Sequence, residues 1–162
     1  MTEARTVLVT GGNRGIGLAT ARLFADLGHR VAVTARDPKS VDDRIMSVSC
    51  DQTDSDAVDA AFEDIESNLG AVQVLVANAG ITRDQLLLRM SDEEFSAVID
   101  TNLTGSYRMA RRATRAMLRA RWGRLIFVSS VVGLLGSAGQ VNYAASKAGL
   151  VGLARSMARE LG

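Results

Sequence analysis

Short apolar, β-branched runs alternate along this chain with longer stretches whose apolar residues recur every three or four positions. The pattern predicts strands at 6–10 (TVLVT), 30–34 (RVAVT), 46–50 (MSVSC), 72–78 (VQVLVAN) and 124–130 (RLIFVSS). Helical spacing occupies 18–28, 55–70 and about 141–161, with Gly28 and Gly70 standing where glycine C-caps belong. Ser91 and Glu94 have the spacing of a capping box that opens a helix. A second, long helix follows, with Leu103, Tyr107, Ala110, Thr114 and Met117 on one face. Mostly apolar strands separated by helices specify an α/β fold, a doubly wound parallel sheet with helices on both faces. Such a fold built from two halves has six strands. Five can be placed, and the chain closes on a helix ending ARELG, so the expectation is one domain over 1–162 that is incomplete at its C-terminus.

Composition narrows the function classes. A chain of 162 residues, 47% hydrophobic, suits one domain with a substantial core. A formal net charge of +1 gives no basic excess for a nucleic-acid role. The basic run RRATRAMLRAR (111–121) spaces its arginines around a helix and reads as a solvated face or an oligomer contact. Cys50 is the single cysteine, in an apolar run, and reads as a buried, inert thiol in a reducing compartment. The N-terminus has neither signal-peptide nor membrane-span character, so the expected location is cytoplasmic, and one His and one Cys make no transition-metal site.

Glycines at 11, 12, 15 and 17 lie between the first strand and the first helix, in TGGNRGIG. Glycine allows the tight turn and the close approach of backbone amides to a pyrophosphate at a helix N-terminus. Placed there, Gly11, Asn13, Arg14, Gly15, Ile16 and Gly17 form a candidate dinucleotide cradle, which makes the sheet Rossmann-type and three-layered. The second strand runs out as Ala35-Arg36-Asp37-Pro38. Arg36 and Arg14 can neutralise a ribose 2′-phosphate, which favours NADP(H), while Asp37 keeps NAD(H) open. Asp51 and Gln52, after the third strand, are candidates for an adenine contact or a plain turn. Asn78, Ala79 and Gly80 end the fourth strand in a small-residue turn that lets the cofactor ribose come close, or simply turns the chain.

Of 19 cationic side chains only Lys39 and Lys147 are lysines, and Lys147 follows Tyr143 by four residues, on the same helical face. Ser130 closes the fifth strand at the same edge of the sheet. A phenol is a poor acid–base catalyst near neutrality unless its phenolate is stabilised. Bringing its pKa from about 10 to about 7 takes roughly 4 kcal/mol, much of which a nearby ammonium can supply. A compact ammonium also bonds two ribose hydroxyls at once, a geometry that suits guanidinium poorly. Ser130 would polarise a substrate carbonyl as hydride arrives.

The joint pattern of Gly11-x-x-x-Gly15-x-Gly17, Asn78-Ala79-Gly80, Ser130 and Tyr143-x-x-x-Lys147 resembles the short-chain dehydrogenases/reductases. NAGITRDQLLLRM, TNLTG and SSVVGLLGSAGQVNYAASKAGL are similar to segments of the bacterial 3-oxoacyl-[acyl-carrier-protein] reductases, and the likeness covers essentially the whole chain. It implies a catalytic tetrad completed by Asn102, whose position holds a proton-relay water. The implied reaction is NADPH-dependent reduction of a 3-oxoacyl thioester to the 3-hydroxyacyl thioester in fatty-acid biosynthesis. It also implies docking of the acidic carrier protein at Arg121, a residue that equally suits a helix C-terminus. A small-residue stripe (Ala145, Gly149, Gly152, Ser156) would pair with another subunit of a dimer or tetramer, or pack within the chain. Relatives continue past residue 162 with further strands and a substrate lid, so the expected status is a fragment of an NADP(H)-binding domain. Another short-chain reductase acting on acetoacetyl-CoA, polyketide or small-ketone substrates stays open, as does a non-catalytic nucleotide-binding module.

Overall fold

The computed structural model describes residues 3–162. Five parallel strands, β1 (Thr6–Thr10), β2 (Arg30–Ala35), β3 (Ile45–Ser49), β4 (Val74–Ala77) and β5 (Arg124–Phe127), lie in the order β3-β2-β1-β4-β5. Register is continuous across the centre, with Val9 facing Val33 on one side and Val76 on the other. The order reverses at β1, which opens a crevice between the carboxyl ends of β1 and β4, the place where open α/β sheets bind ligands.

The alternation of strand side chains sorts the core into two layers. Leu8, Ala32, Val48 and Leu75 face α2 (Ser55–Leu69) and α4 (Gly105–Ala120), packing with Phe62, Ile65, Met109 and Met117. Val7, Val9, Val31, Val33, Val74 and Val76 face the other way, where α1 (Gly15–Asp26) supplies Ala21 and Phe24. Helix α1 packs over β1 to β3, and Ile126 of β5 remains 44% exposed. The remaining helices are α3 (Asp92–Ile99), the single turn α5 (Val132–Leu135) and the long α6 (Val141–Leu161). No helix among the described residues is long and apolar enough to cross a membrane.

Local chemistry accounts for most boundaries. The capping box opens α3 as expected, Glu94 N–H donating to Ser91 Oγ at 3.2 Å and Ser91 N–H to Glu94 Oε2 at 3.0 Å. Helix α2 starts on Asp54, whose carboxylate accepts from Asp56 N–H, and ends at Gly70 with φ +83°. Helix α1 begins at Gly15 rather than 18. Strand β5 stops at Phe127 rather than 130, because the chain past Val128 turns into α5 and bonds to α6 instead of to β4.

Two expectations need correction. The helical stretch after α3 is not one smooth helix: Asp100–Thr104 forms a π-turn, with Gly105 N–H reaching Asp100 O. The stripe through Tyr107 holds in part: Ala110 and Met117 are buried, but Tyr107 is 42% exposed, and the buried face also takes in Ser106, Met109, Ala113 and Ala116. The π-turn inserts an extra residue, so the face of α4 is rotated relative to that of α3.

Candidate functional site

The glycine turn is built by β1, β2 and β4 together. Gly11 and Gly12 N–H both donate to Thr34 O, at 2.8 and 3.3 Å, so the chain folds back tightly as it leaves β1. Gly11 has φ +63°, and a Cβ there would lie 2.9 Å from Ala79 Cα; one on Gly17 would collide with Gly11 O. Thr10 Oγ1 accepts from Asn78 N–H (3.0 Å) and Ala79 N–H (2.9 Å), while Asn78 Nδ2 donates to Thr10 O (3.0 Å) and Gly11 O (3.3 Å). The Asn78 amide nitrogen therefore fastens the turn to β4. Thr10 was invisible from sequence, because a buried threonine at a strand end looks like any β-branched strand residue.

This turn delivers α1 with its first amides free. Arg14 is the N-cap residue and makes no side-chain cap, and the first turn contains no acidic residue. Helix α2 is capped by Asp54 and α3 by Ser91 with Glu94, and both have acidic first turns, so α1 alone of the three presents an uncompensated positive end. Arg14, Gly15 and Ile16 are exposed and Asn13 is half-buried around it, and a Cβ on Gly15 would meet nothing within 4 Å. Those amides and the open space beside them fit a pyrophosphate. Arg36, also exposed, stands at the end of β2 near Asp51, whose carboxylate is held below its usual range by Thr53 N–H (2.9 Å), the Thr53 hydroxyl (2.7 Å) and the Arg36 charge. Gln52, the other candidate for an adenine contact, has its amide bonded inward to Thr101 O at 2.6 Å.

At the other end of the crevice the loops converge on α6. Lys147 is only 5% exposed; its Nζ donates to Val128 O at 2.7 Å and lies 5.7 Å from the centre of the Tyr143 ring. Burial pushes the Lys147 ammonium below its ordinary pKa. Among the described residues no carboxylate forms an ion pair with it. A Cβ on Gly80 would stand 3.7 Å from Lys147 Nζ and 3.1 Å from Asn102 Oδ1, so that glycine keeps the approach open.

Asn102 is fully buried inside the π-turn. Its Oδ1 accepts from Ile81 N–H (2.8 Å), and its Nδ2 donates to Ile81 O (3.0 Å) and Ser146 Oγ (3.1 Å). The side chain thus ties the loop after β4 to α6, and the backbone carbonyl accepts from Ser106 Oγ at 2.7 Å.

Ser130 lies three residues past β5, in a tight turn where its Oγ accepts from Val132 N–H at 3.2 Å. The preceding Ser129 donates to Lys147 O at 2.7 Å, and a Cβ on Gly133 would come within 2.7 Å of Ala148 N, so this loop rests directly on the turn that holds the lysine. Asn142 is fully buried and donates to Arg83 O (2.9 Å), and Gln140 donates to Asp84 Oδ2 (2.9 Å), joining the 81–90 loop to the start of α6. Nothing in the sequence marks Ser129, Asn142 and Ser146, because short polar residues beside the Tyr143–Lys147 pair carry no periodicity to betray their burial.

Other expected positions fall outside this cluster. Arg121 closes α4 in the left-handed conformation (φ +50°, ψ +32°) and borders a groove of about 540 Å³ between α4, β5 and α6, on the opposite edge from the glycine turn. In the small-residue stripe of α6, Gly149 packs within the chain, where a Cβ would lie 2.7 Å from Leu103 Cδ2, while Ala145, Gly152 and Ser156 are exposed. The Cys50 thiol is buried and its pKa is pushed up to about 11 by that burial, with Asp51 and Asp54 adding.

The family model described as short chain dehydrogenase matches residues 5–162. The chain is 54% identical over 158 residues to 3-oxoacyl-[acyl-carrier-protein] reductase MabA of Mycobacterium avium, covering 98% of this chain and 62% of that protein. Identity to MabA of Mycobacterium tuberculosis is 56% over 161 residues, with 98% and 64% covered. Against 3-oxoacyl-[acyl-carrier-protein] reductase FabG of Vibrio cholerae it is 43% over 166 residues, with 98% and 68% covered. The chain thus spans about two thirds of the length of these relatives.

Proposed function

The chain belongs to the short chain dehydrogenase family, and from that premise we propose that it serves NADPH-dependent reduction of a 3-oxoacyl thioester, carried on an acyl-carrier protein, to the 3-hydroxyacyl thioester. The observation that carries this reading is Lys147: a buried ammonium with no carboxylate partner among the described residues, beside the Tyr143 ring and at the open face of Gly80. A solitary buried cation is costly to the fold, and such groups concentrate where chemistry needs them.

Each residue has a task that its geometry permits. Gly11 to Gly17 and the free amides of α1 would hold the pyrophosphate, and Arg14 and Arg36 a 2′-phosphate, as two exposed guanidiniums at that end of the crevice. The nicotinamide, when bound, supplies hydride to the keto carbon. Tyr143 gives its proton to the carbonyl oxygen, and the Lys147 charge stabilises the phenolate that remains. With one N–H held by Val128 O, the ammonium keeps two donors for ribose hydroxyls. Ser130 donates its hydroxyl hydrogen to the substrate oxygen, since its Oγ is already oriented by accepting from Val132 N–H. Asn102 holds the loop after β4 against α6, and the proton that Tyr143 loses is replenished past it. The carrier specificity rests on the named relatives together with Arg121, exposed beside its groove, as the dock for an acidic partner. Assembly into a homodimer or homotetramer in the cytoplasm belongs to the same reading, the exposed part of the α6 stripe being its contact.

The test is Tyr143→Phe in the full-length protein, assayed with NADPH and an acetoacetyl thioester on carrier protein and as a free thioester. Loss of a general acid removes about 10²- to 10⁴-fold in kcat, with NADPH binding retained. Turnover of Tyr143→Phe within threefold of wild type would end the proposal.

A further inference from the structure

Gln52 follows β3 at the carboxyl edge of the sheet, yet its side chain is only 7% exposed and runs under the crevice floor. Its Nε2 donates to Thr101 O at 2.6 Å and, more weakly, to Ala79 O at 3.4 Å. Thr101 belongs to the π-turn. In an α-helix the Gly105 N–H would reach Thr101 O, four residues back; here it reaches Asp100 O instead. Gln52 therefore offers a donor to the carbonyl from which the wider turn has taken its α-helical one. Gly105 shows the same fit from the other side, since a Cβ there would lie 2.6 Å from Gln52 Cγ and 3.0 Å from its Nε2.

The next residue along the π-turn is Asn102, which bonds Ile81 and Ser146, and Ser146 Oγ in turn donates to Tyr143 O at 2.8 Å. A continuous buried polar path thus runs from the end of β3 to the turn of α6 that carries Tyr143 and Lys147. We propose that Gln52 is a positioning residue for the reducing site, holding the π-turn in the conformation that lets Asn102 reach Ile81 and Ser146 and so setting the catalytic turn of α6. This rests on the reductase reading above, and it gives Gln52 a role different from an adenine contact, which would need the amide in the crevice.

Gln52→Met keeps length and bulk but has no donor for Thr101 O, its thioether being only a weak acceptor. In the full-length protein, well below the melting temperature, kcat with NADPH and an acetoacetyl thioester should fall about tenfold, as displaced catalytic groups do, while KM for NADPH stays within twofold. Backbone amides 101–106 and 143–147 should exchange hydrogen faster. Gln52→Glu, which sets a carboxylate against two carbonyls, should be slower still at pH 8 and recover relative to wild type toward pH 5.5, where the protonated acid donates. A raised KM for NADPH at unchanged kcat would assign Gln52 to the cofactor and overturn the proposal; so would a lowered melting temperature with unchanged kcat. If the wild type reduces no 3-oxoacyl thioester, the reductase reading fails while exchange still decides the coupling. Faster exchange at 143–147 in Gln52→Met then supports it, and unchanged exchange there refutes it.

Discussion

Replacing Asn102 with alanine removes the hub of the site. The amide makes three bonds at 2.8, 3.0 and 3.1 Å, to Ile81 N–H, Ile81 O and Ser146 Oγ, and the residue is fully buried. A buried hydrogen bond contributes about 1 kcal/mol, and a buried group left without its partner costs about 1–3 kcal/mol. Ser146 keeps its bond to Tyr143 O, so the main orphans are the two Ile81 backbone groups. The expected loss for Asn102→Ala is about 3 kcal/mol, or a melting temperature lower by about 6–12 °C at this chain size. Urea unfolding at pH 7 measures it, with an unchanged m-value showing that the native state has not loosened globally. Asn102→Asp sharpens the test: it retains the acceptor for Ile81 N–H but turns a carboxylate toward Ile81 O. Burial and that repulsion raise the carboxyl pKa in the folded state, so the variant should be least impaired at acid pH and lose stability as pH rises from the ordinary carboxylate range up to that raised pKa. A loss below about 0.5 kcal/mol for Asn102→Ala, or wild-type stability of Asn102→Asp at pH 7, would refute the view that this side chain clamps the loop after β4 to α6.

Two further outcomes follow from the charges at either end of the crevice. Because burial lowers the Lys147 pKa, the unfolded chain binds more protons than the folded one between that lowered pKa and 10.5, and stability from this group rises with pH across that window. Lys147→Met should therefore be inactive yet about 1 kcal/mol more stable than wild type at pH 7, an advantage that shrinks toward pH 10.5 in paired thermal melts; a constant difference would contradict it. Arg36→Ala should raise KM for NADPH by about 10- to 100-fold, as loss of a charge-assisted contact of about 1.5–3 kcal/mol requires, with KM for NADH little changed; equal effects on both cofactors would remove Arg36 from a 2′-phosphate site.

The site shows where reading along the chain is strong and where it stops. Tyr143 and Lys147 are four apart on one helix, so local geometry alone brings them together, and the structure keeps them so. Gly11 and Gly17 declare themselves because only a close approach explains a glycine there, and the approach is to Ala79 and to Gly11 O. The position of Gln52 after β3 suggests an adenine contact, whereas its amide bonds inward to Thr101 O; Asn78 is expected only in a small-residue turn, and its amide proves to fasten that turn to Thr10 O. The direction a side chain takes at a strand end depends on which backbone groups the neighbouring strands leave unpaired, and those neighbours are distant in sequence.

Period, glycine placement and capping pairs are local quantities, and they determined the parallel α/β sheet, the position of the glycine turn and the pairing of Tyr143 with Lys147 on α6. The π-turn, the burial of Lys147 without an acid beside it, and the path from Gln52 through Asn102 and Ser146 to Tyr143 were decided only in three dimensions. The bonds of Gln52 to Thr101 and of Asn102 to Ile81 and Ser146 span 21 to 49 residues along the chain. Such contacts form only after packing excludes water and each buried polar group must find a partner among whatever the fold has brought near.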